Sequence, residues 1–543
     1  MVSESSPRKP IRGSARGTTL FAPNGAVATS QPLASQAGLA VLREGGNAVD
    51  AAVTAAAVLA LVEPHMTGLG GDVFAILWSA EEGGLVGLNA SGRSGSLMRP
   101  EELRVRGRTS VPTEGAESIT VPGALSGWAL LLERFGTFSL SRALQPAIKL
   151  AEDGFSLTPI IARQWANRVE RIQHDEGARS TYLIDGVRAP GPGERFRNPE
   201  LAFSFRQIAE DGPATLYGGE LGRRIVERVG ELGGFLTLED LEDHRATWVE
   251  PVCVDFKGYR LWELPPNGQG VAALEMLRVL EGFDLKGMGH NSAEYLHHLI
   301  EAKKLAFADL AYWVGDPEAM SIASDDLLSD EFVNARRGLI DPETAAERVD
   351  PGAAVTTSET VCLSAADRHG NMISFINSIF WDFGSGVVVP GTGFALQNRG
   401  AGFTLELGRA NTLAPHKRPF HTIIPAIVTV PSTDGGEEPW LSFGVMGRYF
   451  QPQGHIQLLC NLLVFGMDLQ AAIDAPRFSH VVGREVALEP AIGDTVREKL
   501  TAMGHVILPN ESIQFGGAQA VMKLECGWAA GSDPRKDGNA AGH

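Results

Sequence analysis

The stretch Thr360-Val-Cys-Leu-Ser-Ala-Ala-Asp-Arg-His-Gly-Asn371 decides the prediction of the fold. A threonine opens an apolar run, which turns through Asp-Arg-His-Gly-Asn into a second apolar run at residues 372–380. Two such runs joined by a short glycine-containing turn predict a β-hairpin. Because both faces of each run are apolar, we expect the hairpin to lie in a sheet that is covered on both sides.

Thr360 is also a candidate nucleophile. A backbone cut just before it would create an N-terminal residue with both a hydroxyl and an α-amine, and such an amine is a base near pH 7 because its reference pKa is about 7.7–8.0. Residues 341–358 are acidic and small and predict an exposed linker, where a processing site would have to lie. The alternative is that Thr360 only begins a buried strand, which threonine does well.

Composition narrows the class of protein. The chain has 543 residues, 44% of them apolar and 21% charged, as in a globular enzyme. A net charge of −18 argues against a nucleic-acid partner, since no basic surplus can replace counterions. Four scattered cysteines predict no disulfide framework.

Residues 1–18 are predicted to be a disordered leader, and the apolar run 51–62 is too short to span a bilayer. We therefore expect a soluble cytoplasmic protein without a membrane partner.

Elsewhere the pattern predicts helices packed on two sheets. Helices are expected from Gln31 to the glycines at 45–46 and from an Asn47 cap to Val62. The loop Gly68-Leu-Gly-Gly71 runs from helix to strand, the reverse of a dinucleotide fingerprint, and so favours a tight turn or a backbone contact with a ligand. The pattern also predicts helices at 293–312, 454–463 and 469–473, and strands at 73–78, 422–430 and 440–445.

Several segments, in a shared order, carry a resemblance to a known family. They are Gly45-Gly-Asn-Ala-Val-Asp-Ala-Ala52, Gly68-Leu-Gly-Gly71, Val121-Pro-Gly123, Leu264-Pro-Pro-Asn-Gly268, Glu301-Ala-Lys303, Gly315-Asp-Pro317, Phe383-Gly-Ser-Gly386, Lys417-Arg-Pro419 and Ser532-Asp-Pro534. The chain resembles the γ-glutamyltranspeptidase family of N-terminal-nucleophile hydrolases. The resemblance implies a four-layer αββα sandwich and a precursor that cuts itself between Glu359 and Thr360. Residues 19–359 would form the large subunit and residues 360–543 the small catalytic one, intertwined in one domain.

The resemblance also implies roles for single residues. Thr360 aligns with the nucleophile, and its free amine would act as the base. Ser378 aligns with a threonine that supports the nucleophile. The backbone N–H groups of Gly447 and Arg448, in Gly444-Val-Met-Gly-Arg448, match the oxyanion-hole turn. No cofactor is implied, and no metal site is predicted, because the sequence shows neither an HExxH motif nor metal-type partners for His297.

The substrate pocket departs from the family pattern. Phe380 stands where the family has an asparagine, Gly402 where it has an acidic residue, and His421 and Thr422 where it has paired serines. From these aligned positions the resemblance implies that Phe380, His421 and Thr422 contact the substrate. A γ-glutamyl group needs partners for its charged amine and carboxylate, so these changes argue against that substrate.

We instead expect an amide whose acyl group carries a carboxylate, as in relatives similar to oxamate amidohydrolase or cephalosporin acylase. Arg93 and Arg399 are candidates to clamp that carboxylate as a bidentate pair. The alternative for each arginine is a structural salt bridge or a solvated position.

Two alternative functions stay open. One is a conventional γ-glutamyltransferase and glutathione hydrolase, which would take part in glutathione metabolism. The other, of a different class, is a catalytically silent relative that acts as a binding protein. The expected partners are a small-molecule amide and the two fragments of the same precursor, and a homodimer is a further open alternative.

Overall fold

The computed structural model describes residues 17–349, 360–432, 435–509 and 515–543. Most of the predicted leader therefore lies outside the described residues, although Gly17 is described and its backbone N–H donates to Asp474. Glu359 and residues 350–358 of the predicted linker also lie outside them.

Two seven-stranded antiparallel sheets form the centre of the molecule. The strands of the described chain are β1 (Leu20–Ala22), β2 (Ala26–Thr29), β3 (Asp72–Ser79), β4 (Gly84–Ala90), β5 (Phe155–Ser156), β6 (Arg195–Phe196), β7 (Thr247–Val249), β8 (Val252–Phe256), β9 (Tyr259–Glu263), β10 (Val361–Ala366), β11 (Met372–Ser378), β12 (Ala426–Pro431), β13 (Glu437–Met446), β14 (Phe478–His480), β15 (Glu485–Leu488), β16 (Val506–Leu508), β17 (Gly517–Lys523), β18 (Trp528–Ser532) and β19 (Asn539–Gly542). The strand orders of the two large sheets are β1-β18-β17-β13-β12-β9-β8 and β19-β2-β10-β11-β3-β4-β7. Strands β5 and β6 form a separate two-stranded sheet, and β14, β15 and β16 form a three-stranded one.

Helices cover the outer face of each sheet. They are α1 (Pro32–Arg43), α2 (Ala48–Val62), α3 (Pro100–Val105), α4 (Ala124–Phe135), α5 (Leu140–Asp153), α6 (Pro159–Ala166), α7 (Val169–Ile172), α8 (Glu176–Tyr182), α9 (Pro199–Asp211), α10 (Glu220–Glu231), α11 (Leu238–Glu242), α12 (Gly270–Leu280), α13 (Leu285–Met288), α14 (Ala293–Trp313), α15 (Ser324–Leu327), α16 (Asp330–Arg337), α17 (Gln451–Leu463), α18 (Leu469–Asp474) and α19 (Asp494–Ala502).

Three buried clusters hold the layers together. One lies between the sheets and includes Phe74, Ile376 and Ile427. A second joins α2, α4, α5 and α9 to the sheet that contains β10, and a third joins α12, α14 and α17 to the sheet that contains β13. The order helix, sheet, sheet, helix is the four-layer αββα sandwich that was predicted.

Each sheet contains strands from both sides of Thr360. In one sheet, β10 pairs with β2, which precedes Thr360 by more than three hundred residues, and with β11, its partner in the hairpin. In the other, β12 pairs with β9 on one edge and β13 on the other. Because both sheets are built this way, no plane through the core separates residues before Thr360 from those after it.

The predicted elements are present, with shifts at their ends that have local causes. Asn47 caps α2, accepting from the N–H groups of Val49 and Asp50 while the Asp50 carboxylate accepts from the Asn47 N–H. Strand β12 begins at Ala426 rather than at 422, because the backbone N–H of His421 donates to the Asn267 carbonyl oxygen and that of Ile424 to the Gln451 side chain instead of to a neighbouring strand. Helix α17 begins at Gln451 rather than at 454, with Pro452 in its first turn, where a proline is well tolerated.

We find, among the helices that the structure describes, none with the length and apolar character needed to cross a bilayer.

Candidate active site

The β10–β11 hairpin brings the candidate nucleophile next to Ser378. Val361 pairs with Asn377 in the antiparallel register, so Thr360, one residue before β10, lies opposite Ser378. Ser378 in turn pairs with Asp72 at the start of β3. Thr360, Ser378 and Asp72 are all fully buried. Three adjacent strands therefore place two hydroxyls and one carboxylate in a row across the sheet.

The glycine-rich loop packs against this row as a tight turn, in which the Gly71 backbone N–H donates to the Gly68 carbonyl oxygen at 3.1 Å. A Cβ on Gly71 would lie 2.4 Å from the Ser378 carbonyl oxygen, closer than side-chain atoms ever approach backbone. The Asn377 amide donates to the Gly68 carbonyl at 3.2 Å, and its oxygen accepts from the Trp128 indole at 3.0 Å. The loop is thus glycine-rich because it touches the strand that carries Ser378, which corresponds to the tight-turn interpretation.

Ser378 is the junction of the hydrogen-bond network. Its Oγ lies 3.1 Å from Thr360 Oγ1 and accepts from the Arg399 guanidinium at 3.3 Å. The Phe380 backbone N–H also donates to it, at 3.0 Å. With Arg399 and the Phe380 N–H both donating to this oxygen, the Ser378 hydroxyl proton is free to point toward Thr360 Oγ1. That arrangement fixes the position of the Thr360 hydroxyl.

Arg399 is a fully buried cation beside the two hydroxyls. Its Nη1 donates to Thr422 Oγ1 at 2.9 Å, and its guanidinium lies over the Phe380 ring, 4.1 Å from the centroid. Its Nε is 3.9 Å from Asp72 Oδ2 and makes no hydrogen bond to the residues that the structure describes. Burial lowers the pKa of Arg399 to about 10, and Asp72 opposes that change. Arg399 is thus a buried cation that makes no hydrogen bond to Asp72, the acidic group beside it.

Asp72 is a site residue that the sequence analysis did not single out. Its Oδ1 accepts from the backbone N–H groups of Gly92 and Gly123, and its Oδ2 lies 3.1 Å from His421 Nε2. Burial raises the pKa of Asp72 to about 7, although Arg399 and the two N–H groups act in the opposite direction. The carboxylate under Arg399 therefore changes its charge near neutral pH. Its only signal in the sequence was its position directly after Gly68-Leu-Gly-Gly71.

This pKa predicts how stability depends on pH. Between the ordinary Asp pKa of 3.8 and about 7, the folded chain holds a proton on Asp72 that the unfolded chain has released. The bound proton raises the free energy of unfolding by about 4 kcal/mol below pH 4. This contribution falls to zero as the pH rises through 7. We expect denaturant unfolding of the wild-type protein, relative to Asp72→Asn, to show this decline. A difference that stays constant from pH 4 to 8 would contradict it.

The turn at Gly447 and Arg448 is held in a conformation that favours glycine. Gly447 has φ 133° and Arg448 φ 50°, and a single 3-10 turn leads from them into the N-terminus of α17. The Gln269 amide donates to the carbonyl oxygens of both Arg448, at 2.5 Å, and Thr422, at 2.6 Å. Backbone N–H groups at such a helix start are suited to stabilise a negative oxygen.

The Arg448 side chain is a second buried cation beside Phe380. Its guanidinium lies 3.6 Å from the Trp381 ring centroid and 5.3 Å from that of Phe380. Burial lowers its pKa to about 9. Phe380, itself at φ 76°, therefore lies between two buried arginines, Arg399 and Arg448. Strained backbone of this kind clusters at functional sites, since the surrounding structure must hold it in place.

The structure brings most of the predicted site residues together, but not Arg93. The Arg93 guanidinium pairs with Asp316 at 3.1 Å and Glu318 at 3.3 Å and donates to the His416 carbonyl oxygen. These contacts match the salt-bridge alternative for Arg93. The predicted substrate contact of Arg93 stays a prediction.

His421 is joined to the cluster from the side of Asp72. Its ring is fully buried, lies against Phe74 with 4.5 Å between centroids and makes its side-chain bond to Asp72. Burial holds the pKa of His421 well below its usual value, so its imidazole is neutral. The contacts show His421 as a support for Asp72, whereas the predicted contact with substrate stays a prediction.

Contrary to the prediction from the sequence, His297 has metal-type partners, which are Glu301 and His505. Ligand atoms of His297, Glu301 and His505 lie within 4.8 Å of one another. Glu301 follows His297 by one helical turn, and His505 comes from more than two hundred residues away, which the sequence could not show. The same atoms already bond to each other and to Lys304: His297 Nδ1 lies 2.9 Å from His505 Nε2, and Lys304 Nζ lies 2.7 Å from Glu301 Oε1. This neighbouring ammonium opposes a metal cation.

An αββα sandwich with a hydroxyl residue immediately before a central strand and a second hydroxyl opposite it is typical of the N-terminal-nucleophile class of hydrolases. A family model described as gamma-glutamyltranspeptidase matches residues 34–543. The chain belongs to this family, and it is an amidohydrolase or acyltransferase of the N-terminal-nucleophile type.

Known relatives match along nearly the full chain. A glutathione hydrolase-like YwrD proenzyme of Bacillus subtilis (strain 168) is 36% identical over 519 residues, which cover 94% of this chain and 97% of the relative. An oxamate amidohydrolase proenzyme of Klebsiella pneumoniae is 37% identical over 527 residues, with 94% and 97% covered. The crystal structure of cephalosporin acylase from Bacillus halodurans superposes with a TM-score of 0.91 at 40% identity, covering 100% of this chain and 99% of that one. These similarities confirm the family and the fold that the sequence predicted.

Proposed function

We propose that the chain cuts itself before Thr360 and then hydrolyses amides whose acyl group carries a carboxylate. The observation that carries this proposal is the contact chain from Thr360 through Ser378 to Arg399, which joins the hydroxyl to a buried cation over distances of 3.1 and 3.3 Å. The names of relatives support it, since the oxamate amidohydrolase relative is called a proenzyme.

The self-cleavage step uses the same hydroxyl as the later reaction. Thr360 Oγ1 attacks the Glu359 carbonyl carbon, the peptide C–N bond breaks, and the nitrogen takes up a proton to become the free α-amine of Thr360. Water then hydrolyses the resulting ester and releases the carboxyl group of Glu359. The products are fragments of residues 1–359 and 360–543, which stay intertwined in one domain.

In the proposed turnover the new amine accepts the proton from the Thr360 hydroxyl as it attacks the substrate carbonyl. The Gly447 and Arg448 backbone N–H groups stabilise the oxyanion, a contribution of about 10²–10³ in rate for one such donor in other enzymes. The amine product leaves with a proton, and water cleaves the acyl–Thr360 ester. Ser378 keeps the Thr360 hydroxyl in position throughout.

The substrate class follows from the charge of the pocket. A desolvated cation is costly without a partner, and Arg399 has Asp72 at 3.9 Å, a carboxyl that is half protonated near pH 7. A substrate carboxylate that bonds Arg399 Nε would supply the missing counter-charge. Phe380 and Trp381 form the adjoining wall and offer no group for a substrate amine. The pocket therefore favours an acyl group that carries a carboxylate alone over a γ-glutamyl group, which also carries an ammonium.

A substrate panel tests this proposal. Oxamate, glutaryl-p-nitroanilide, γ-glutamyl-p-nitroanilide and the uncharged butyryl-p-nitroanilide are compared by kcat/KM, and intact mass is recorded for an acyl adduct on the 360–543 fragment. We expect a carboxylated amide to exceed the uncharged one by at least about 100-fold. Comparable turnover of γ-glutamyl-p-nitroanilide would show that the pocket argument is wrong and would favour the conventional γ-glutamyltransferase alternative.

A further inference from the structure

A cavity lies in the helical layer that covers the sheet containing β13, between α14 and the turn that follows β14. Its volume is about 330 Å³, within the usual range for pockets that bind small molecules. Its apolar walls include Phe307, Val481 and Val482. Its polar groups include Lys303 and His480. None of these residues belongs to the cluster around Thr360.

Lys303 is the unusual member of this cavity. Its side chain is buried, with 4% of its surface exposed, and Nζ lies 2.9 Å from His480 Nδ1. His480 Nε2 lies 3.0 Å from the Gly483 carbonyl oxygen, which can only accept, so the imidazole proton is on Nε2 and Nδ1 accepts from Lys303. The next lysine, Lys304, has a carboxylate partner in Glu301 at 2.7 Å. Throughout the described ranges, no carboxylate forms an ion pair with Lys303.

A buried ammonium without a counter-charge is unfavourable. Burial, reinforced by the neighbouring Lys304, lowers the pKa of Lys303 to about 7. The Phe307 ring, whose centroid is 4.0 Å from Nζ, stabilises the charge only in part. Three further charged residues line the cavity, namely Lys304, Glu347 and Arg348. Lys304 is paired with Glu301, and the Glu347 carboxylate lies 3.8 Å from Arg484. Among the described residues, the lining therefore carries a surplus of positive charge, and its one carboxylate forms no ion pair with Lys303.

We propose that this cavity binds a short-chain aliphatic carboxylate, with the carboxylate on Lys303 Nζ and the chain against Val481 and Val482. The carboxylate would complete the donor set of the ammonium, and the chain would remove the apolar walls from water. Inorganic phosphate would satisfy the charge but would leave those walls wet, so the aliphatic chain is part of the assignment. This site is additional to the proposed reaction and does not depend on it.

Calorimetric titration of the full-length wild-type protein with hexanoate, hexanamide and inorganic phosphate tests the assignment. We expect hexanoate to bind and the neutral hexanamide to bind at least about tenfold more weakly, because it lacks the charge that Lys303 requires. Lys303→Met keeps the length of the side chain and removes its charge, and it should weaken hexanoate binding by at least about tenfold. Lys149→Met is the matched control, since Lys149 is an exposed lysine on α5 paired with Asp153, and it should bind as the wild type does.

A second variant keeps the test decisive if Lys303→Met does not fold. Val482→Trp leaves Lys303 in place and fills the cavity with an indole ring, so hexanoate binding should again be lost. Hexanoate binding that is unchanged in either folded variant would overturn the site. Phosphate binding as tightly as hexanoate would overturn the carboxylate assignment.

Discussion

Thr360→Ala is expected to remain a single 57.9 kDa chain under denaturing electrophoresis, while the wild-type protein gives fragments of residues 1–359 and 360–543. Without the Oγ1 atom the proposed attack on the Glu359 carbonyl carbon cannot occur, and the ester that precedes the cut does not form. Activity on any amide should fall by about 10⁶-fold, as it does when the nucleophile of a hydrolase is removed. Intact mass after long incubation measures the processing, and kcat measures the turnover.

Two variants control this experiment. Thr360→Ser keeps a hydroxyl and should still be cut, which shows that the chain folds around a changed residue 360. Thr501→Ala removes an exposed threonine at the end of α19 and should be processed as the wild type is. Two fragments from Thr360→Ala would show that another residue drives the cleavage. A single stable chain from the wild type would favour the alternative of a catalytically silent relative.

The local part of this site could be predicted from the sequence. The hairpin follows from two apolar runs and a five-residue turn, and its antiparallel register alone puts Thr360 opposite Ser378. The turn at Gly447 was also predicted, since the family resemblance placed it there and the structure has it between β13 and α17. Its role as an oxyanion hole stays a prediction. Contacts within one hairpin or one turn join residues that are close together in the sequence, so a local sequence pattern is enough to predict them.

The supporting contacts could not be predicted, since they join distant segments. Asp72 lies 3.1 Å from His421 across 349 positions of sequence, and Gln269 bonds to the Arg448 carbonyl across 179. Neither pair leaves a periodic pattern in the chain. The same reason explains Arg93: its partner Asp316 is 223 positions away, so the sequence could not decide between a substrate contact and the ion pair that the structure has.

Arg399→Met is expected to lower kcat/KM for a carboxylated amide by about 10²–10³-fold, because a bidentate bond between buried charges is lost. The uncharged butyryl-p-nitroanilide should change only a few-fold. Arg399→Lys should lie between the two, since a lysine keeps the charge but offers a single point of contact. Arg188→Met, which removes an exposed arginine paired with Glu194, is the matched control and should match the wild type with both substrates.

The Arg399→Met variant should fold, because Asp72 can adjust its protonation. Arg399 holds the pKa of Asp72 down, so its removal raises that pKa further above 7 and leaves a neutral acid in place of an unpaired charge. Comparing kcat and KM between the charged and the uncharged amide then separates two roles for Arg399. If it binds the carboxylate, KM rises for the charged amide alone. If it acts only by orienting Ser378 and Thr360, kcat falls equally for both amides, and the proposed substrate class loses its support.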